Sequence, residues 1–244
     1  MRTILLIIEY DGTAYSGWQI QPNGLAVQQV VEEALARVVG VPVRLHSAGR
    51  TDAGVHARAM PAHLQTDRSL PLAAFREGVN RFLPADVAVK EVREMPADFH
   101  ARFAARGKWY RYTLYRGAIR SPLVARCSWH LPGQLDLVAM RQAAQLLVGE
   151  HDFRAFRSSA CSAQGTVRRL TAVEIDAAGE LLQIDVHGSG FLKNMVRMLV
   201  GTLVEIGRGK RPVADIPRLL AGDSPLRCGV TAPPQGLCLM EVRY

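Results

Sequence analysis

The residue of this sequence best suited to chemistry, Asp52, lies in a loop between two predicted strands. The loop reads Ala48-Gly49-Arg50-Thr51-Asp52-Ala53-Gly54-Val55-His56-Ala57. Because Gly49 and Gly54 tolerate backbone angles that other residues avoid, the loop can turn tightly and hold Asp52 outward. Such a carboxylate acts as a nucleophile or an electrostatic partner, and Arg50 would keep it ionised or bind a substrate phosphate. The alternative is a turn in which Thr51 and Asp52 only cap backbone groups.

A basic stretch with interleaved aromatic residues follows farther along the chain. The sequence has 30 Lys and Arg against 22 Asp and Glu, a net charge of +8, and most of this excess lies within residues 93–126. The aromatic residues of this stretch are Phe99, Phe103, Trp109, Tyr110, Tyr112 and Tyr115. Cations bind phosphates and rings stack on bases, so the pattern favours a nucleic-acid partner. The alternative is an ordinary strand with one aromatic face and one basic face.

Composition and spacing disfavour several other classes of protein. With 48% hydrophobic and 21% charged residues, the 244-residue chain is typical of a globular protein. No apolar run is long enough for a transmembrane helix, and the acidic residues after the apolar start predict no signal peptide. The four cysteines and seven histidines lack metal-ligand spacing, so we expect no zinc site and a reducing, cytoplasmic location. Gly188-Ser189-Gly190 is no dinucleotide fingerprint, because Lys193 replaces the third glycine.

Two passages of the sequence predict the same order of elements, β-α-β-β-α-β. In the first passage, apolar spacing predicts strands at 3–8, 41–46, 55–66 and 87–92 and helices at 27–38 and 71–79. In the second passage, it predicts strands at 109–115, 167–175, 181–186 and 237–242 and helices at 137–149 and 191–206. Asp136 caps the first of these helices, and Asp215 caps a further short helix.

This repeated order predicts an α+β fold built from two ferredoxin-like halves. The halves would join side by side into a mixed, largely antiparallel sheet with a central cleft. We place the first half, with the Asp52 loop, at 1–98 and the second at 106–244, joined by a short connection at 99–105.

Several segments of the sequence resemble a known family. The segment from Gly49 to Ala57 resembles the signature of the tRNA pseudouridine synthase A family. Further matching segments are Tyr10-Asp11-Gly12-Thr13-Ala14-Tyr15-Ser16-Gly17-Trp18-Gln19, Phe99-His100-Ala101-Arg102, Trp109-Tyr110-Arg111-Tyr112, His151-Asp152-Phe153 and Gly190-Phe191-Leu192-Lys193-Asn194-Met195-Val196-Arg197. The likeness spans nearly the whole chain.

The resemblance implies an RNA isomerase that detaches a uracil from ribose C1′, rotates it and reattaches it through C5, giving pseudouridine. It implies the uridines at positions 38, 39 and 40 of the tRNA anticodon arm as substrate, no metal or organic cofactor, and a homodimer. It makes Asp52 the essential aspartate, which attacks the sugar or takes a ribose proton to give a glycal. Tyr110 would stack on the target base, and Arg197 would keep Asp52 charged.

The residues by themselves leave alternatives open for these roles. Without the resemblance, the pattern around Tyr110 favours a packed strand aromatic, and helical spacing places Arg197 on a solvent face with Lys193 and Glu205. Asp11, Tyr15, Trp18 and Gln19 would form a loop that grips displaced RNA, or would pack around the tight turns at Gly12 and Gly17. The candidates for phosphate contacts are Arg50, Arg58, Arg102, Arg106, Lys108, Arg111 and Lys193.

Two other functions compete with the isomerase. A noncatalytic RNA-binding module would share the topology, but residues 107–112 lack the spacing of the RNA-recognition strand. A glycosidase needs a second carboxylate, and no acidic residue accompanies Asp52 in its loop.

Overall fold

The computed structural model describes residues 1–159, 161, 163–221 and 226–244. Its strands are β1 (Arg2–Tyr10), β2 (His46–Ser47), β3 (His56–Thr66), β4 (Val87–Met95), β5 (Gly107–Tyr115), β6 (Trp129–His130), β7 (Gly149–Asp152), β8 (Val167–Ala178), β9 (Leu181–Gly188) and β10 (Leu237–Arg243). Its α-helices are α1 (Val27–Val39), α2 (Leu137–Leu146), α3 (Met195–Gly207) and α4 (Asp215–Leu220).

The chain forms two compact units. The first unit contains Met1–Arg106 and Cys238–Tyr244, and the second contains Gly107–Leu237. The predicted division at 1–98 and 106–244 stays a prediction. The two units differ from it where the first half ends and at the C-terminal end of the second half. Residues 99–106 belong to the first unit, and so does most of β10, because Cys238 and Leu239 pair in parallel with His56 and Ala57 of β3.

In the first unit, β1 lies between β3 and β4 and pairs antiparallel with both. The short β2 pairs with β3, which gives the strand order β4-β1-β3-β2. This order is typical of the β-α-β-β-α-β unit that the sequence predicts. The core forms where Ile4, Leu6 and Ile8 of β1 are fully buried along with Val31 and Leu35 of α1. Hydrophobic burial at alternate strand positions and at helical spacing therefore fixes this sheet.

Helix α1 confirms the boundaries that the sequence indicates. It begins at Val27 and ends at Val39, and Gly40 follows with φ of 82°. Glycine adopts this left-handed conformation without the steric cost of a side chain, which makes it a common helix stop. Residues 72–80 also form helical turns, including a π-helical segment at Ala74–Gly78, as predicted.

The predicted strand at 41–46 is wrong except at its end, since β2 contains only His46 and Ser47. Pro42 has no N–H to donate to a strand partner. The backbone N–H of Leu45 donates to Glu32 of α1 at 2.8 Å, so a helix side chain replaces the strand partner that alternation had predicted.

In the second unit, β9 lies between β5 and β8 with antiparallel pairing on both sides. Strand β7 pairs antiparallel with β8, and β6 pairs in parallel with β5. The predicted α+β class and the mixed, largely antiparallel pairing are confirmed. The inward face of α3 is also as predicted, because Met195, Leu199 and Leu203 are fully buried.

Three helix boundaries in the second unit differ from the predictions. Helix α2 ends at Leu146, and Gly149, with φ of 123°, begins the unpredicted strand β7. Helix α3 begins only at Met195, since Asn194 has φ of 63° and interrupts a helix from Phe191. Asp215 is the first residue of α4 rather than its cap, because its carboxylate pairs with two arginines, Arg211 and Arg218. Asp136 does cap α2, accepting from the Ala139 N–H at 2.9 Å.

Candidate active site

Asp52 lies on a tight turn that hydrogen bonds brace from both ends. The N–H of Val55 donates to the Asp52 carbonyl at 3.1 Å, which closes the turn, and Gly54 inside it has φ of 75°. Before the turn, the Ser47 hydroxyl donates to the Gly49 carbonyl at 2.7 Å. The Asp52 side chain is half-buried. We call residues 48–55 the Asp52 loop; it has the tight turn that the glycines predicted.

A buried hydroxyl pair ties this loop to β1. The side-chain oxygens of Tyr10 and Thr51 lie 2.8 Å apart, and these residues are only 3% and 7% exposed. Sequence analysis missed this pair, although Tyr10 closely follows the strand predicted at 3–8 and Thr51 adjoins the candidate carboxylate. Since buried hydroxyls require partners, the pair fixes the residue next to Asp52.

The segment from Asp11 to Gln19, here the Trp18 loop, packs on the Asp52 loop. The N–H of Trp18 donates to the Thr51 carbonyl at 3.1 Å, and that of Gly54 donates to the Tyr15 carbonyl at 3.3 Å. A Cβ atom at Gly17 would lie 2.6 Å from the Thr51 carbonyl oxygen, and Gly17 has φ of 97°. Only glycine permits this approach and this backbone angle together.

The aromatic rings of the Trp18 loop are core residues. Trp18 and Tyr15 are 1% and 4% exposed, and the Tyr15 hydroxyl donates to Asp86 at 2.7 Å. Burial, followed by this hydrogen bond to a carboxylate, raises the pKa of Tyr15 above its ordinary value. Of the two predicted roles of the loop, the structure therefore favours packing around Gly12 and Gly17 for these two rings.

The candidate cations of the first unit are open to solvent. Arg50 lies in the Asp52 loop, Arg58 lies in β3, and Arg102 and Arg106 follow β4; all four are exposed. The structure thus keeps Arg50 in the same loop as Asp52 and leaves its guanidinium accessible to an anion.

Tyr110 of β5 packs inside the second unit. It is 8% exposed, and its ring meets Phe191 edge to face with 5.1 Å between the ring centroids. This contact brings Tyr110 together with the segment that contains Lys193, which is exposed. Packing, the alternative from the residues, accounts for most of the ring surface, because edge-to-face pairs are favourable buried contacts.

Arg111 has a carboxylate partner. Its guanidinium donates two hydrogen bonds to Asp185, at 2.9 and 2.8 Å, and lies over the ring of Trp109. The Trp109 ring nitrogen donates to the same carboxylate at 2.8 Å. A phosphate bound by Arg111 would compete with this bidentate ion pair to Asp185. Lys108, which precedes Trp109 in β5, is half-buried.

Arg197 is held by backbone and side-chain oxygens near the start of α3. Its Nε donates to the Ala232 carbonyl at 2.6 Å, and its Nη1 donates to the Asn194 side-chain oxygen at 3.2 Å. Of the alternative solvent face shared with Lys193 and Glu205, Lys193 is exposed but precedes the helix, Glu205 pairs with Arg211, and Arg197 itself is half-buried. Arg197 and Tyr110 belong to the second unit and Asp52 to the first, so their joint action stays a prediction.

Two further features bear on other kinds of site. The described residues contain no group of three or more His, Cys, Asp or Glu side chains placed to hold a metal ion. None of the helices that they form is long and apolar enough to cross a membrane.

Comparison with known proteins supports the motif assignment. The family model for tRNA pseudouridine synthase matches residues 6–104 and 143–244. A tRNA pseudouridine synthase A of Syntrophotalea carbinolica is 63% identical over all of this chain and 97% of its own length. A tRNA pseudouridine synthase A of Geobacter sulfurreducens is 58% identical over the full length of both chains.

A solved structure, an archaeal box H/ACA sRNP Nop10-Cbf5 complex, is more distantly similar. The likeness covers 83% of this chain and 43% of that one, at 15% identity. Its TM-score of 0.39 is too low to carry a conclusion.

These similarities define an enzyme class, the RNA isomerases that make pseudouridine. The chain belongs to the tRNA pseudouridine synthase family, as its motifs predicted.

Proposed function

We propose that this chain converts uridine to pseudouridine at positions 38, 39 and 40 of the tRNA anticodon stem-loop, with Asp52 as its catalytic residue. The observation that carries the proposal is Asp52 itself: the family motif places a carboxylate on a turn braced by Thr51 and Gly54 and leaves it half-buried. A fixed, partly dehydrated carboxylate is suited to attack on, or proton removal from, a ribose.

The reaction rearranges bonds within one nucleotide. The bond between uracil N1 and ribose C1′ breaks, the base rotates, and a bond between C5 and C1′ forms. The proton on C5 leaves, and N1 takes up a proton, so substrate and product have the same composition. Asp52 either bonds to the sugar until the base returns or takes a ribose proton to give a glycal.

The target base must leave its stack before a protein carboxylate can reach its sugar. We propose that Tyr110 stacks on this base and that the candidate cations bind the flanking phosphates. Exposed Arg50, Arg58, Arg102 and Lys193 are better supported in this role than Arg111, whose guanidinium already pairs with Asp185.

We propose Arg197 as the cation that keeps Asp52 ionised, on the family resemblance. A poorly hydrated carboxylate without a cation would take up a proton and lose its reactivity. The hydrogen bonds from Arg197 to Ala232 and Asn194 support this role in one respect, since they hold the guanidinium in one orientation.

We further propose a homodimer in the cytoplasm that works without a metal or organic cofactor. These features are implied by the family resemblance. Sedimentation of the purified protein tests the dimer.

The decisive experiment uses tRNA labelled with tritium at uridine C5, because the reaction releases that label. Asp52→Asn should abolish tritium release and leave tRNA affinity nearly unchanged. Asp67→Asn is the matched control, since Asp67 is a solvent-exposed carboxylate of the same unit, and it should keep full activity. If Asp52→Asn retains turnover, Asp52 is not the catalytic residue. If wild-type protein binds tRNA without releasing label, the isomerase proposal fails and the RNA-binding module replaces it.

Two measurements test the finer claims. Mapping of pseudouridine in tRNA from cells with and without the gene should show losses at positions 38, 39 and 40. Arg197→Ala should lose activity while remaining folded by circular dichroism, and Arg197→Lys should recover part of it. Full turnover by Arg197→Ala would exclude its proposed role.

A further inference from the structure

An exposed aromatic residue stands out on the first unit. Phe103 is 77% exposed, more than any other phenylalanine of the described residues. With its neighbours His100 and Arg102 it forms what we call the Phe103 patch. Full burial of a phenylalanine side chain stabilises a fold by about 2 kcal/mol. Because Phe103 is exposed, it contributes little of this to the core, and its exposure calls for another explanation.

The patch is an ordered arrangement. The rings of Phe103 and His100 have centroids 4.2 Å apart and planes 31° apart, and the Arg102 guanidinium carbon lies 6.0 Å from the Phe103 centroid. His100 in turn contacts His63, with centroids 4.8 Å apart. Phe103 is 77% exposed although both His100 and Arg102 contact its ring.

Backbone contacts hold the patch in place. The N–H of Ala104 donates to the His100 carbonyl at 3.0 Å, and that of Arg102 donates to the His100 ring at 3.2 Å. Ala101 is fully buried, and its N–H donates to His63 at 3.3 Å. A ring presented by such a braced segment loses little conformational entropy when a ligand stacks on it.

Charge indicates which ligand this surface suits. From Phe99 to Arg106, within the first unit, the sequence has two cations and no acidic residue, and the carboxylate that precedes them is Asp98. Within the first unit, Arg102 and Arg106 are both exposed. An open ring with a cation beside it matches an unpaired nucleotide, whose base stacks while its phosphate binds the cation.

We infer that the Phe103 patch is a stacking subsite for an unpaired base of the RNA substrate, with Arg102 binding the adjoining phosphate. The inference rests on the proposed function, because it assumes RNA as substrate. The base in question is a second nucleotide, separate from the uridine that reacts at Asp52. A second protein copy is the other conceivable occupant, and the cationic surroundings favour RNA over a like-charged copy of this chain.

The test measures tRNA affinity with the full chain. Phe103→Leu should raise the Kd about tenfold, since base stacking on an aromatic ring is replaced by a weaker apolar contact, and Phe103→Trp should restore the affinity. Phe82→Leu is the matched control: Phe82 is 45% exposed and has the Arg37 guanidinium 5.3 Å from its ring centroid, but it lies outside the patch. Its Kd should equal that of wild type.

A second RNA separates stacking from general attraction. Against a fully paired RNA duplex of the same charge, Phe103→Leu should bind like wild type, because no unpaired base is available to stack. Arg102→Gln should weaken binding to both RNAs. It should also reduce the slope of log Kd against log salt concentration by about one, because one phosphate contact is lost.

Three results would overturn the inference. Unchanged tRNA affinity in Phe103→Leu would remove the subsite, and an equal loss on tRNA and duplex would make the effect nonspecific. A change of Phe103→Leu from dimer to monomer in sedimentation, with tRNA affinity kept, would assign the patch to a protein interface. Failure of the proposed function is distinguishable, because wild-type protein would then release no tritium from labelled tRNA, independently of the tRNA affinity of Phe103→Leu.

Discussion

Replacing Thr51 by Val tests whether the buried hydroxyl pair sets the position of Asp52. Valine has nearly the shape of threonine, so the change leaves no cavity and removes one oxygen that lies 2.8 Å from the Tyr10 hydroxyl. Loss of a partner at a buried polar group costs about 1–3 kcal/mol. The free energy of unfolding should fall by this amount.

Turnover should fall as well, because the same contact fixes the residue beside the carboxylate. If about 1–2 kcal/mol of the loss acts on loop position, kcat should drop roughly 5- to 30-fold with little change in KM. Thr51→Ser keeps the hydroxyl and should retain most of the kcat. The assay is tritium release from labelled tRNA, paired with urea denaturation followed by circular dichroism.

Two controls make the result interpretable. Thr3→Val removes another buried hydroxyl from the same unit, one bonded to the Ala97 carbonyl at 3.4 Å, and it lies about 23 Å from Tyr10 along β1. It should destabilise the fold without changing kcat. In a double-mutant cycle, Tyr10→Phe combined with Thr51→Val should cost about 1 kcal/mol less than the separate changes together. Strictly additive losses, or an unchanged kcat in Thr51→Val, would refute the reasoning.

Three further predictions concern stability and binding. Burial, with a smaller effect of His100, lowers the pKa of His63 to about 4. Between pH 7 and pH 5 the His63 imidazole is therefore protonated in the unfolded chain before it is protonated in the folded one. The free energy of unfolding should fall by about 2 kcal/mol over this range. His63→Gln should flatten this pH dependence in denaturant titrations, and persistence of the full slope would contradict it. Gly201→Ala should destabilise by about 1–3 kcal/mol in thermal melts, since its Cβ would overlap the Val230 carbonyl oxygen, whereas Gly165→Ala has open space and should be neutral. If about five phosphates are neutralised, the tRNA association constant should fall with a log–log salt slope near −4, and a flat response would argue against the basic surface.

Local patterns determined the elements whose signals are contained within themselves. Apolar spacing and the stop at Gly40 predicted α1, and Asp136 predicted the start of α2. The Asp52 loop was also evident from sequence, because glycines bracket a carboxylate and the motif matches a family. In each case the physical cause, helix periodicity or a backbone angle, acts within a few residues.

Tertiary structure decided what depends on partners distant in sequence. Alternation predicted a strand at 41–46, but Glu32 of α1 takes the N–H of Leu45. Trp18 had two equal roles until burial placed it in the core under the Asp52 loop. Helical spacing placed Arg197 on a solvent face, whereas the fold leaves it half-buried and donating to the carbonyl of Ala232, 35 residues later. Hydrogen-bond partners and burial arise only when separate segments meet, so the sequence identified the chemical groups and the fold set their surroundings.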